Sequence, residues 1–244
     1  MKHLLVVGRP GIGKTTLMKH VIQSLRGRAI EGFLTEELRE DGQRNGFWLS
    51  LLDGRQVLLA HRQLDSPHRV GGYRVSSTVI DELAVGAIRR GLKQAFILFL
   101  DEIGVMELVS ERFAEAVQEA FDRGPLVVAT AGVQPHPFLL RLKRRKDVEL
   151  IPLSSSNRDA VAEELTARLE AVCAEDDTVR ALQAQANRIC DMIVSEDAHP
   201  VDVEIQQVKL KEAVSRAFPE KVALYQLLYE SRFRRLWQQF RGVT

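Results

Sequence analysis

The chain opens on a short apolar run, Leu4-Leu5-Val6-Val7, that stops at Gly8. A run this brief and continuous reads as a strand buried on both faces of a parallel sheet. Past a glycine-rich stretch the period changes, and Leu17, Val21, Ile22 and Leu25 recur at helical spacing. Residues 29–35 are a second strand candidate. Three turn signals follow, Asp41-Gly42, Asn45-Gly46 and Asp53-Gly54, and the segments between them, 47–52 and 56–60, read as antiparallel strands of a β-meander insertion. Residues 73–75 add a short strand. Residues 78–90 place Val79, Leu83 and Ala87 on one helical face.

The most apolar run, 95–100, suits a central strand and ends abruptly in Asp101-Glu102. Phe113, Val117 and Phe121 mark the next helix, and 126–130 is another buried strand. A proline-rich turn leads to a basic helix at 138–145 and a last strand at 147–153. Ser156 or Asn157 then caps a helix with Val161, Leu165, Leu169 and Val172 on one face. This alternation predicts an α/β domain with a largely parallel sheet over residues 1–172. Residues 173–244 show no strand pattern and read as a helical C-terminal extension.

Composition narrows the function classes. The 244 residues are 45% hydrophobic and 27% charged, ordinary for a globular chain of one sizeable domain, or one plus an appendage. A formal net charge of +1 gives no bulk attraction to nucleic acid or to an anionic membrane. No segment is long enough to span a bilayer, and the opening apolar run is too short for a signal peptide. A cytoplasmic protein is expected. Cys173 and Cys190 match no metal-binding spacing and read as partly buried thiols in a reducing compartment.

The chemistry begins at Gly8-Arg9-Pro10-Gly11-Ile12-Gly13-Lys14-Thr15, which fits G-x-x-x-x-G-K-[ST] at every fixed position. It lies between an apolar strand and an amphipathic helix, the context that a phosphate-binding P-loop requires. Its glycines let backbone N–H groups face inward on phosphates, and the helix behind it, opening through Thr16, adds a positive N-terminal end. Lys14 is expected to reach the β- and γ-phosphates, and Thr15 to place its hydroxyl on Mg²⁺. Ligands of open α/β sheets bind at the carboxyl ends of strands, where Asp101 is expected to join Thr15 at the metal. Glu102, beside it, is placed to polarise an attacking water. A P-loop nucleoside-triphosphatase with Mg²⁺ as cofactor is the expectation.

These residues resemble one family: the small P-loop nucleoside-triphosphatases first known from thermophiles, which include the human cancer-related nucleoside-triphosphatase. The resemblance rests on the phosphate loop, Gly32-Phe33-Leu34-Thr35-Glu36-Glu37 with Arg39, and Gly42-Gln43-Arg44-Asn45-Gly46-Phe47. It continues through Arg69-Val70-Gly71-Gly72-Tyr73-Arg74-Val75, Asp101-Glu102-Ile103-Gly104-Val105-Met106-Glu107-Leu108 and Arg144-Arg145-Lys146-Asp147-Val148. It covers roughly the first 170 residues and implies Mg²⁺-dependent hydrolysis of ATP, GTP and other triphosphates to the diphosphate and phosphate. The segment 131–137 departs from the family's pattern, which leaves open the group that senses the γ-phosphate.

Phosphoryl transfer calls for a further cation. Candidates are Arg39, Arg44, Arg69 and the run Arg141-Leu142-Lys143-Arg144-Arg145-Lys146. Arg44, between two turn signals and inside one of the matching stretches, is the first choice as a catalytic arginine. The basic run alternatively serves as the lid of a nucleotide or nucleoside kinase; as a nucleic-acid site it lacks interleaved aromatics. In the extension, Val222, Tyr225, Leu228, Tyr229, Phe233, Leu236, Trp237 and Phe240 recur at helical spacing, with Arg232, Arg234, Arg235 and Arg241 around them. That face either packs within its own unit or forms a homo-oligomer or protein-partner surface, in which case the NTPase cycle regulates binding through these helices.

Overall fold

The computed structural model describes residues 2–195 and 198–242. They divide into two compact units, Met1–Glu170 and Ala171–Thr244.

In the first unit, β1 (His3–Val7) leads through the glycine loop to α1 (Lys14–Ser24), β2 (Ile30–Glu40), β3 (Gln43–Leu51) and β4 (Gln56–His61). A hairpin of β5 (Arg69–Val70) and β6 (Tyr73–Val75) follows. The helical stretch after it is α2 (Ser77–Val79), a wide turn at Ile80–Ala84, and α3 (Val85–Gln94). Then come β7 (Ile97–Asp101), α4 (Glu111–Arg123), β8 (Leu126–Ala131), α5 (Pro137–Lys143) and β9 (Val148–Pro152). Ser110 starts α4 by accepting the Phe113 N–H at 3.0 Å, which satisfies one of the donors a helix start leaves open.

Among the described residues the sheet has nine strands in the order β5-β6-β4-β3-β2-β7-β8-β1-β9. The neighbours from β2 to β9 are all parallel, and β3 to β6 form an antiparallel wing. This is the α/β fold with an inserted meander that the hydrophobic pattern predicts. All five residues of β7 are buried, as its unbroken apolar run requires. Phe33, Leu98, Phe113 and Phe121 belong to one core cluster with the inner faces of α3 and α4, and the Phe33 and Phe113 rings meet edge-on at 5.9 Å. Full burial of each such side chain stabilises the fold by about 1.5–3 kcal/mol relative to exposure.

The wing differs in detail from the sequence reading. β2 runs on to Glu40, because β3 pairs with it from Phe33↔Leu51 to Glu40↔Gln43, with Asp41-Gly42 as the two-residue turn. Asn45-Gly46 is therefore not a turn but lies inside β3. Its glycine serves close approach: a Cβ there would stand 2.3 Å from the Ala60 carbonyl oxygen. The Arg69–Val70 strand has no pattern of its own and exists only by pairing with β6.

α6 (Arg158–Val194) contains no glycine or proline, and the division between the units falls within it. It does not end where the apolar face Val161–Val172 runs out. The second unit continues with α7 (Pro200–Ala217), α8 (Val222–Tyr225) and α9 (Ser231–Phe240). Ile189, Ile193, Val203, Leu210, Tyr225 and Phe233 form its core, with Tyr229, Leu236 and Trp237 packed against them. Leu228 and Phe240, from the same periodic face, are exposed. Arg241 is not surface decoration: it donates to the carbonyls of Met192, Ile193, Ser195 and Ala198, where α6 ends. Both cysteines are buried. Among the described residues no helix is long and apolar enough to cross a membrane.

Candidate active site

The sheet order decides what meets the phosphate loop. β8 lies between β1 and β7, so the loop after β1 and the acids ending β7 face each other across the end of one strand. They open on a cleft of about 760 Å³ lined by Pro10, Gly11, Gly13, Lys14, Thr15 and Thr16 on one side and Glu102, Gly104 and Glu107 on the other. Of the remaining loop positions, Gly8 donates its N–H to the Ala131 carbonyl at 3.2 Å, and Ile12 donates to the Arg9 carbonyl at 3.3 Å. Gly13 precedes α1 at φ 102°, a left-handed conformation that strains any side chain. No side chain caps α1, so its first N–H groups remain available to an anion.

Lys14 is buried. Its ammonium donates to the carbonyls of Gly8 at 3.2 Å and Arg9 at 3.4 Å and pairs with Glu102 Oε2 at 3.0 Å. Asp101 is fully buried at the end of β7, and its Oδ1 accepts the Thr130 hydroxyl from β8. Oδ2 finds no hydrogen-bond partner among the described residues. Burial pushes the Asp101 carboxyl up to about 6, against the pull of the Thr130 and Thr15 hydroxyls. Glu107 is buried as well. It accepts the Thr35 hydroxyl at 3.1 Å and the Gly104 N–H at 3.2 Å. Burial, with the Glu102 carboxylate adding to it, pushes Glu107 up to about 8.

Of the candidate arginines, Arg39 and Arg44 line the same cleft. The Arg44 guanidinium is bound to Glu37 at 2.8 Å and to the Tyr73 hydroxyl at 3.3 Å, above the Phe47 ring. Arg39 is also held by Glu37, and Arg69 by the Gly71 carbonyl.

Residues 3–166 match the model of the NTPase family. The chain belongs to that family. It is 41% identical over 167 residues to nucleoside-triphosphatase THEP1 of Thermotoga sp. (strain RQ2), which spans 68% of this chain and 95% of that one. The crystal structure of THEP1 from the hyperthermophile Aquifex aeolicus superposes with a TM-score of 0.63 at 34% identity, covering 69% of this chain and 99% of its own. The solution structure of a human cancer-related nucleoside triphosphatase gives a TM-score of 0.61 at 30% identity, covering 70% and 98%.

In this NTPase-family chain the fold thus brings Lys14, Thr15, Asp101 and Glu102 together and leaves Arg44 tied to Glu37. Sequence reasoning missed the contact of Thr130 with Asp101 and the burial of Glu107, an acid it ranks only after Glu102 as a group to position the water. The signal for Thr130 was a hydroxyl in an otherwise apolar run; the signal for Glu107 was an acid flanked by Met106 and Leu108. A carboxyl held neutral in the fold but free to ionise when unfolded favours the unfolded chain as pH rises. For Glu107 that penalty begins near its ordinary 4.5 and grows until the folded group ionises near 8. Glutamine keeps an acceptor for Gly104 and a donor for Thr35. Glu107→Gln is therefore expected to flatten the loss of stability between about pH 5 and pH 8, raising Tm at the upper end by about 2–4 °C for each 1 kcal/mol of penalty removed. Parallel Tm–pH curves for variant and parent would show that Glu107 is ionised throughout.

Proposed function

We propose that this chain hydrolyses nucleoside triphosphates, ATP and GTP among them, to the diphosphate and phosphate with Mg²⁺. The observation that carries this reading is the Lys14–Glu102 pair at 3.0 Å, which joins the phosphate loop to an acid at the end of β7. In it the phosphate-binding cation and the water-activating base hold each other until substrate arrives. Triphosphate entering the loop draws the ammonium onto its β- and γ-phosphates. That leaves the Glu102 carboxylate, 33% exposed at the cleft, free to orient a water and accept its proton. The water oxygen bonds to the γ-phosphorus, the bond to the bridging oxygen breaks, and the diphosphate departs with the electron pair.

The residues present suit Mg²⁺. Asp101 carries a buried oxygen without a partner, beside the Thr15 hydroxyl. Among the described residues no cluster of three or more His, Cys, Asp or Glu side chains could hold a metal ion by itself. Mg²⁺ commonly takes one or two protein oxygens and fills its shell with phosphate and water. When bound it neutralises charge on the β- and γ-phosphate oxygens. Thr15 and Asp101 are the residues that would hold it.

A phosphate-release assay across nucleotides tests the reading. Mg²⁺ is expected to be required, with activity lost to chelator and restored by the metal. No motif here reads a base, so ATP and GTP are expected to agree within about tenfold in kcat/KM, a discrimination of about 1.4 kcal/mol. Undiminished release in excess chelator would remove the metal from the reading. Strict choice of one base would remove the broad substrate range.

A further inference from the structure

Of the arginines that the sequence singles out, Arg144 is exposed and the others are held by neighbouring groups. Arg39 and Arg44 share Glu37, and Arg69 donates to the Gly71 carbonyl. In the basic run, Arg145 reaches Asp122, Asp147 and the Phe121 carbonyl, and so braces α4 against the strand start. Arg141 lies 5.8 Å over the Phe138 ring.

Lys143, the last residue of α5, is placed differently. It is half-buried, and its ammonium donates to the Gly132 carbonyl at 2.8 Å. Gly132 directly follows β8, the strand between the phosphate loop and the acids, and it lines the cleft. A Cβ on Gly132 would stand 3.6 Å from Glu102 Oε1. The charge Lys143 feels is that of Glu102, which opposes the downward effect of burial on its ammonium. One of its three N–H donors goes to Gly132, which leaves two for a ligand.

We propose that Lys143 is a catalytic residue of the hydrolysis, a cation that reaches the γ-phosphoryl oxygens from the β8 side of the cleft while Lys14 holds them from the phosphate loop. This rests on the function proposed above. Lys143 moves no proton: water bonds to the γ-phosphorus, Glu102 accepts the proton, and the diphosphate leaves with the electrons of the broken bond. Lys143 offsets negative charge on the transferred group as that bond breaks, the part an arginine plays in many phosphoryl-transfer sites. It also gives the segment 131–137, which departs from the family pattern, a use: the carbonyl of its one glycine, Gly132, aims the lysine.

The test uses the full chain. Phosphate release by the parent is measured first, so failure of the function itself shows there and not in the variants. Lys143→Met keeps length and packing and loses the charge. Its kcat is expected to fall by about 10²–10³, with affinity for the triphosphate lowered and affinity for the diphosphate, which lacks the contacted group, within about twofold of the parent. Lys143→Arg is expected to recover at least about a tenth of the parental kcat. Should Lys143→Met fail to fold, Lys143→Gln, which keeps a donor for Gly132, is read by the same measurements. The proposal is overturned if the uncharged variant keeps more than about half of the parental kcat. It is equally overturned if triphosphate and diphosphate affinities fall together, because Lys143 would then only tether α5 to the end of β8.

Discussion

Glu102→Gln is expected to bind the triphosphate at least as tightly as the parent and to hydrolyse it about 10²-fold or more slowly, the usual scale for a lost general base. The two halves have separate causes. Glutamine keeps the shape of the side chain and loses the basic carboxylate that would take the proton from water. It also replaces the charged partner that holds Lys14 at 3.0 Å before substrate enters by a neutral amide, whose oxygen holds the ammonium less strongly. Phosphate then competes only with neutral acceptors for the ammonium, the Gly8 and Arg9 carbonyls among them, so binding does not weaken. A fall in kcat without a loss of affinity marks an interaction made mainly in the transition state. Single-turnover kinetics paired with an equilibrium titration reads both. Retention of more than about half of the parental rate would make Glu102 a companion of Lys14 only, and Glu107, buried 2% exposed behind it, the next acid to examine.

Asp101→Asn is expected to give the opposite pattern. The carboxyl is fully buried, raised to about 6, and leaves one oxygen without a partner. Asparagine removes the cost of a buried charge while still accepting from Thr130, so thermal stability near neutral pH is expected to hold or rise. Nucleotide binding should lose its dependence on Mg²⁺, and turnover should fall by at least about 10²-fold, as when one preorganised electrostatic contact is removed from a reacting group. A gain in stability with a loss of function is the usual sign of a group kept for chemistry against the interest of the fold. Titrations with and without Mg²⁺, set beside a thermal melt, separate the variants. Unchanged Mg²⁺ dependence would place the metal on other residues.

Much of this was legible in the chain itself. Strand β1, the glycine loop and α1 are local: apolar run, backbone freedom at Gly11 and Gly13, and 3.6-residue spacing all act within a stretch of about twenty residues, a scale on which pattern suffices. β7 ending in Asp101-Glu102 is likewise visible, because a sharp change from apolar to acidic marks where a buried strand surfaces. The family resemblance added that these segments belong to one site.

What the pattern left open depended on pairing between distant segments. Asn45-Gly46 has the composition of a turn, yet lies in β3 because β2 and β4 flank it and the Ala60 carbonyl comes too close for a side chain. Arg44 was the favoured catalytic cation by its position between turns; only the fold shows Glu37 and Tyr73 occupying it. Lys143 is one basic residue among several in sequence. It becomes distinct only because β8 inserts between β1 and β7 and carries Gly132 to the mouth of the site. The sequence by itself determined the elements and the chemistry each carries, because hydrophobic period and backbone freedom are local properties. The tertiary structure alone decided which charges are neutralised by neighbours and which lie beside the cleft, because burial and distance between side chains far apart in the chain arise only when the sheet assembles.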